Sequence, residues 1–196
     1  MKWCHMKNDF NIANTEEILR THKARAVFLK TFSALMGVEI KTAVEIGVFK
    51  GENAKSLRSL FPDMHLYLVD PWNLTDDYLK DGGPISQQQA VMDAAFFQVL
   101  HDFFEDTKTQ ILRLSSFEAS QRIEGPLDLV FIDGDHSYEG VKQDISLWLP
   151  KVRSGGIISG HDYDYPELPG VRKAVDEVLG EDVFTGPDFT WIKIVE

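Results

Sequence analysis

Short apolar runs alternate with amphipathic stretches along most of the chain. From Ile18 through Val27, Phe28, Phe32 and Leu35 the apolar positions recur at helical spacing, and Asn14-Thr15-Glu16-Glu17 can supply an N-cap with a reciprocal glutamate. The spacing predicts a leading helix over 14–36 that packs across a sheet or covers a ligand site. Strands are predicted at Thr42–Ile46, His65–Asp70, Gln110–Leu114, Leu127–Asp133 and Gly155–Ser159, the fourth apolar almost to its end, as befits a strand buried on both faces. Helices are predicted from about Asn53, over Tyr138–Leu149 and over Gly170–Leu179. The segment 73–104 breaks this rhythm: Asp81-Gly82-Gly83-Pro84 precedes Ser86–Gln89, which can cap a helix carrying Val91, Phe97, Leu100 and Phe104. That segment is expected to form a mobile flap.

Alternation of this kind implies an α/β fold, a doubly wound, mostly parallel sheet. The last two strands, near Val183-Phe184 and Thr190–Val195, are separated only by Gly186-Pro187-Asp188 and neighbours, so they are expected as a C-terminal antiparallel hairpin. The expected whole is one domain over 1–196 with seven strands.

Composition narrows the function. The chain has 196 residues, 43% hydrophobic and 26% charged, with 31 acidic against 20 basic side chains and a formal net charge of -11. That balance argues against a nucleic-acid partner, which needs a basic footprint. Cys4 is the sole cysteine, so no disulfide can form within the chain. The first twenty residues hold no apolar core of signal-peptide length and no later run is long enough to span a membrane, so the cytoplasm is the expected location.

Two strand ends carry the first candidate chemistry. Glu45-Ile46-Gly47-Val48-Phe49-Lys50-Gly51 sits at a strand-to-helix junction, where Gly47 permits a sharp turn and Gly51 permits close approach of a ligand or helix. Phe49 stands where a dinucleotide fingerprint has its middle glycine, which disfavours a pyrophosphate. Glu45 needs a partner if it is buried. Asp70, 25 residues later at the next strand end, is placed to accept both hydroxyls of a ribose. Trp72 can stack on an adenine or pack beneath the next loop, and Ser115 and Ser116 can meet adenine polar groups or simply form a turn.

The densest cluster is Asp133-Gly134-Asp135-His136, joined to Gly160-His161-Asp162. Both segments follow apolar strands and are projected to the carboxyl edge of one sheet, where open parallel sheets bind ligands. Two carboxylates about 4 Å apart repel by about 4 kcal/mol at an effective dielectric of 20. Either one is protonated, a basic side chain intervenes, or a cation binds. Asp133 and Asp162, with His161, form a candidate metal site, unless they cap the following helices. Asp135 and His136 are the candidate bases.

These motifs together resemble the class I S-adenosylmethionine-dependent methyltransferases, specifically the group of macrocin-type sugar O-methyltransferases and small relatives. The resemblance rests on Glu45-x-Gly-x-Phe-x-Gly51, Leu68-Val-Asp-Pro-Trp72, Leu114-Ser-Ser-Phe117, Phe131-Ile-Asp-Gly-Asp-His136 and Gly155-Gly-x-x-x-Gly-His-Asp162. It implies that Glu45, Gly47 and Gly51 form the methionine-side turn, that Asp70 holds the ribose, and that Ser116 lies near adenine. It further implies that Asp133 and Asp162 bind a divalent cation, Mg2+ or Mn2+, and that Asp135 is the general base. His161 replaces a residue that is often acidic in those relatives. The expected reaction is methyl transfer to a hydroxyl of a small acceptor, sugar-like or a vicinal diol, by a protein that forms a homodimer. The competing readings are a NAD-dependent oxidoreductase and a non-catalytic cofactor-fold protein that binds a partner.

Overall fold

The computed structural model describes residues 21–73 and 85–196. The expected cap at Asn14 and the Asp81–Pro84 turn lie outside these residues. The described chain begins with α1 (His22–Leu35), N-capped by Thr21, whose hydroxyl accepts from the Ala24 amide. Then follow β1 (Thr42–Ile46), α2 (Glu52–Leu60), β2 (His65–Asp70), α3 (Ile85–Asp102), β3 (Thr109–Arg113), α4 (Ser116–Ser120), β4 (Leu127–Ile132) and α5 (Tyr138–Trp148). A 3-10 turn (Leu149–Lys151) leads into β5 (Val152–Gly160), and α6 (Pro169–Leu179), β6 (Phe184–Thr185) and β7 (Trp191–Ile194) complete the chain.

The strands form one seven-stranded sheet in the order β3-β2-β1-β4-β5-β7-β6. β1 through β5 pair in parallel, whereas β7 pairs antiparallel with both β5 and β6. This is the expected doubly wound sheet with its terminal hairpin.

Both faces of the sheet are covered, and the strand residues alternate between them. Leu66, Leu68, Leu129 and Phe131 pack with Leu29 of α1, Leu57 of α2 and Val99 of α3. Val44, Val69, Val130 and Ile132 pack on the other side with Ile145 and Trp148 of α5 and Val175 of α6.

Helix α3 forms where the sequence predicts a helix, and the residues named for it there are not the ones it buries. Met92, Ala95, Val99 and neighbouring Phe103 enter the core, while Val91, Phe97 and Phe104 point to solvent, Phe97 with 65% exposure. Both faces of this helix are apolar, so helical spacing alone does not choose between them. The described half of the expected flap is thus a helix docked on the sheet.

Candidate active site

The candidate residues converge because β1, β2, β4 and β5 end at the same edge. β1 lies between β2 and β4, so a crevice opens where the chain winds to opposite sides. A cavity of about 280 Å³ fills it, with walls from Gly47 and Phe49 after β1, and from Asp70 and Pro71 at the end of β2. Ser115, Ser116 and Phe117 close the side toward β3, and Asp133, Gly134 and Asp135 the side toward β4.

The turn after β1 is held by a single carboxylate. Asp70 Oδ2 accepts from the amides of Val48 and Phe49, each at 2.9 Å, and Oδ1 accepts from the Trp72 amide at 2.6 Å. An ionised carboxylate offers about four acceptor positions, so Asp70 clamps the loop and retains acceptor capacity toward the cavity. Gly47 has φ +81°, and a Cβ there would lie 2.0 Å from the Asp133 carbonyl oxygen. Only glycine lets these two strand ends meet so closely.

Three residues expected to bind a ligand do not form the cavity walls. Trp72 is fully buried, its ring against Phe96 and its indole N–H donating to the Phe49 carbonyl. Packing, not base stacking, is its role. Gly51, with φ +74°, begins α2, and a Cβ there would approach Val99 of α3 at 3.1 Å; the close approach it permits is to a helix. Glu45 lies beneath the turn with 1% exposure, accepting from Asn53 Nδ2 at 3.4 Å. Its Oε2 and the Asn53 Oδ1 have no hydrogen-bond partner. Burial, with Asp133 nearby, pushes the Glu45 carboxyl up to about 8. The partner expected from the sequence is therefore neutral, and Glu45 is mostly protonated at neutral pH.

At the mouth, the acidic and basic groups form a closed ring. His136 Nε2 lies 3.4 Å from Asp133 Oδ1 and 3.1 Å from Asp162 Oδ2. His161 Nδ1 lies 2.9 Å from Asp162 Oδ1 and 3.4 Å from Asp133 Oδ1, and its Nε2 lies 3.5 Å from Asp188 Oδ2. Arg25 of α1 completes the ring by pairing with Asp133 and Asp188. Hydrogen bonds to Asp133 and Asp162 push His136 up to about 10. Burial opposes protonation of His161, but bonds to the same two aspartates prevail and push it up to about 9. Burial likewise opposes ionisation of Asp133, yet the two histidines hold it well below the usual carboxylate range.

At neutral pH His136 therefore carries its proton, and in this arrangement it is a donor. Of the two candidate bases, Asp135 is exposed at the cavity wall, with Oδ1 accepting from the Ser137 amide at 2.8 Å. Neither Asp133 nor Asp162 caps a helix: Ser137 caps α5, and Leu168 precedes α6.

Asp133, His136 and Asp162 each offer a ligand atom, and these atoms lie within 4.8 Å of one another. Two carboxylates and a neutral imidazole suit a Mn2+-, Fe2+- or Zn2+-like ion, so the donor set fits a divalent cation that takes the place of the His136 proton. The histidine in this set is His136; the expected His161 stands beside it, its Nδ1 facing the same two aspartates. Among the described residues, the five non-glycine residues with positive φ are Phe49, Trp72, Asp162, Asp188 and Phe189, all in loops at this edge. Such strain concentrates at functional sites.

Arg25, Asp188, Gln143 and Asp144 were not legible as site residues. Arg25 is 108 residues from Asp133 in sequence, and no local pattern marks it. Asp144 has the position of a core residue on α5, and only its carboxyl, set among apolar neighbours, could have flagged it.

Residues 44–163, more than half of the chain, match the family model described as a methyltransferase domain. A curated relative, the uncharacterized protein R132 of Acanthamoeba polyphaga mimivirus, is 26% identical over 141 residues, covering 71% of this chain. The chain spans only about 60% of that relative's length. A crystal structure of a putative caffeoyl-CoA O-methyltransferase from Staphylococcus aureus superimposes with a TM-score of 0.63 at 13% identity, covering 87% of this chain and 82% of that one. CalS11, a TDP-rhamnose 3'-O-methyltransferase of calicheamicin biosynthesis, gives a TM-score of 0.56 at 18% identity, covering 97% and 87%. At these identities the structural likeness concerns the fold, which is that of the class I S-adenosylmethionine-dependent methyltransferases. With the family match across β1 to β5 and the crevice it encloses, the chain belongs to the methyltransferase-domain family.

Proposed function

We propose that the protein binds S-adenosylmethionine in the β1–β2–β4 crevice and transfers its methyl group to a hydroxyl of a small, polyhydroxylated acceptor at the Asp133–Asp162 mouth. The observation that carries this reading is that Asp133 belongs to both halves of the site. It lines the cavity together with Ser116, Asp70 and Asp135, and it also pairs with His136 in the acidic cluster that includes Asp162.

The donor supplies a methyl group on a positively charged sulfur, which needs little activation. What the chain must contribute is binding, alignment and removal of the acceptor proton. Asp70 orients the ribose while holding the Val48–Phe49 turn. Glu45, buried beneath the Gly47 turn and held by Asn53, supports that turn from below instead of touching the donor. Alignment of the acceptor oxygen with the methyl carbon can supply several kcal/mol of barrier reduction.

Asp133, His136 and Asp162 would hold a divalent cation, which when bound would polarise an acceptor hydroxyl. Asp135, on the wall beside them, receives the proton. The hydroxyl-bearing acceptor class is supported by the likeness to CalS11, a TDP-rhamnose 3'-O-methyltransferase, and by the oxygen-rich mouth of this chain.

The test is incubation with methyl-labelled S-adenosylmethionine and sugar or catechol acceptors, with and without Mn2+ and EDTA. Label in an alkali-stable ether product, reduced at least tenfold by Asp135→Asn, is expected. Label appearing only on nitrogen or carbon would contradict the acceptor class. Transfer unaffected by EDTA would contradict the metal.

A further inference from the structure

Helix α3 carries two apolar faces, and the fold uses only one of them. Met92, Ala95, Val99 and the adjoining Phe103 are buried in the core. The opposite side presents Val91, Ala94, Phe97 and Leu100, and the turn that prolongs the helix adds Phe104. All five are exposed, Phe97 by 65% and Phe104 by 86%.

This stripe is poor in charge on a chain that is rich in it. From Val91 to Leu100 the one charged side chain is Asp93, which pairs with Arg113 of β3 at 2.6 Å. Asp102, at the helix end, pairs with Lys55 of α2 at 2.9 Å. Glu105 is exposed just past Phe104, at the rim of the stripe. Two copies of a chain with a net charge of -11 repel each other over most of their surfaces. An uncharged apolar face is where that repulsion is weakest and the gain from burial greatest.

The area fits the same partner. A phenylalanine buries about 200 Å² when fully covered, and by that measure the stripe offers roughly 400 Å² of apolar side chain. A standard interface takes about 800 Å² from each partner, a little over half of it apolar. One stripe therefore supplies the apolar share of one side.

The order of side chains along the stripe is self-complementary. Phe97 stands six residues after Val91 and seven before Phe104, so the smaller and the larger end are nearly equidistant from it. Helix α3 has 18 residues, about 27 Å of length. A second α3 laid antiparallel about a twofold axis beside Phe97 sets each Phe104 over Val91 of the other copy and brings the two Phe97 rings together. Each patch then meets itself, as a twofold interface requires. We propose that the exposed face of α3 is the surface on which two copies of this chain pair, helix antiparallel to helix, with Phe97 at the centre. The pairing goes beyond the methyl-transfer reading and does not depend on it.

Sedimentation equilibrium of the full chain over a range of concentrations tests the proposal, and the parent is expected at twice the monomer mass. Phe97→Glu sets two carboxylates face to face and should raise the dissociation constant of the dimer by at least about thirtyfold. The Phe97 ring also meets Phe96 at 5.9 Å, so Phe104→Glu, at the more exposed position, carries the same test if Phe97→Glu fails to fold. Cys4→Ser removes the only native thiol. In that background a short bis-maleimide should link Phe97→Cys into dimers and leave Leu35→Cys, on α1 and 80% exposed, as monomers. A parent that stays monomeric would overturn the proposal. So would a dimer that both glutamate variants leave intact, or one linked through Leu35→Cys in preference to Phe97→Cys.

Discussion

Arg25 Nη1 lies 2.8 Å from Asp133 Oδ2, on the opposite side of that carboxylate from the histidines at Oδ1. Arg25 comes from the helix that covers the site, and its Nε holds Asp188 at 2.5 Å. A guanidinium thus neutralises two carboxylates at the mouth and ties α1 to the β6–β7 hairpin. Removing one partner of a buried ion pair costs about 3–5 kcal/mol, because the other charge is left uncompensated.

Arg25→Met should therefore lower the melting temperature and make it more responsive to cations. With the competing guanidinium gone, Asp133 is a better ligand, and Mn2+ stabilises whichever folded state binds it more tightly. The expected result is a larger Mn2+-induced rise in melting temperature for the variant than for the parent. An equal or smaller rise would contradict competition between Arg25 and the cation.

The Glu45 carboxyl makes stability fall as pH rises. Its folded value, about 8, stands above the ordinary 4.5 of the unfolded chain. Between these two values the unfolded state loses the proton first, so the folded state loses stability progressively and the full penalty is present above pH 8. Glu45→Gln removes this penalty and can also donate to the unpartnered Asn53 Oδ1. The variant should match the parent near pH 4 and exceed it by up to roughly 5 kcal/mol above pH 8. Denaturant melts at several pH values check this; a difference that does not grow with pH would contradict it.

Asp70→Asn tests the clamp on the turn. An amide nitrogen facing the Val48 and Phe49 N–H groups would set donor against donor, costing about 1–3 kcal/mol of stability. S-adenosylhomocysteine affinity should drop more than tenfold, measured by calorimetry on protein verified as folded by circular dichroism. Affinity equal to the parent's would remove Asp70 from the nucleoside subsite.

Gly47→Ala should be more damaging than a surface substitution, since its Cβ would collide with the Asp133 carbonyl at 2.0 Å and φ is +81°. Left-handed φ alone costs a non-glycine residue about 1–2 kcal/mol, and the collision adds to it. Chemical denaturation measures the loss; a variant as stable as the parent would refute the tight apposition of the two strand ends.

The strand pattern made the sheet readable because β1, β2 and β4 are apolar on both faces, which leaves few alternatives to a doubly wound core. Hairpin β6–β7 was readable from the short Gly186-Pro187-Asp188 connection. Helix α3 was readable as an element but not in orientation, since Phe97 and Phe104 rival Val99 and Phe103 in hydrophobicity. The short helix α4 went unread although Ser115 and Glu118 form a reciprocal capping box; five residues are too few for periodicity to register. At the site, strand ends placed Asp70, Asp133 and Asp162 correctly at one edge. For Trp72 the sequence leaves stacking and packing beneath the loop both open, and its complete burial agrees with packing. Arg25 and Asp188 escaped because tertiary packing alone brings them to Asp133 and His161.

The most direct test of the central claim is calorimetric titration of the purified protein with S-adenosylhomocysteine and, separately, with NAD. Saturable one-to-one binding of S-adenosylhomocysteine, weakened by Asp70→Asn, with no heat from NAD, is the predicted result. Saturable binding of NAD without binding of S-adenosylhomocysteine would contradict the assignment of the crevice to a methyl donor.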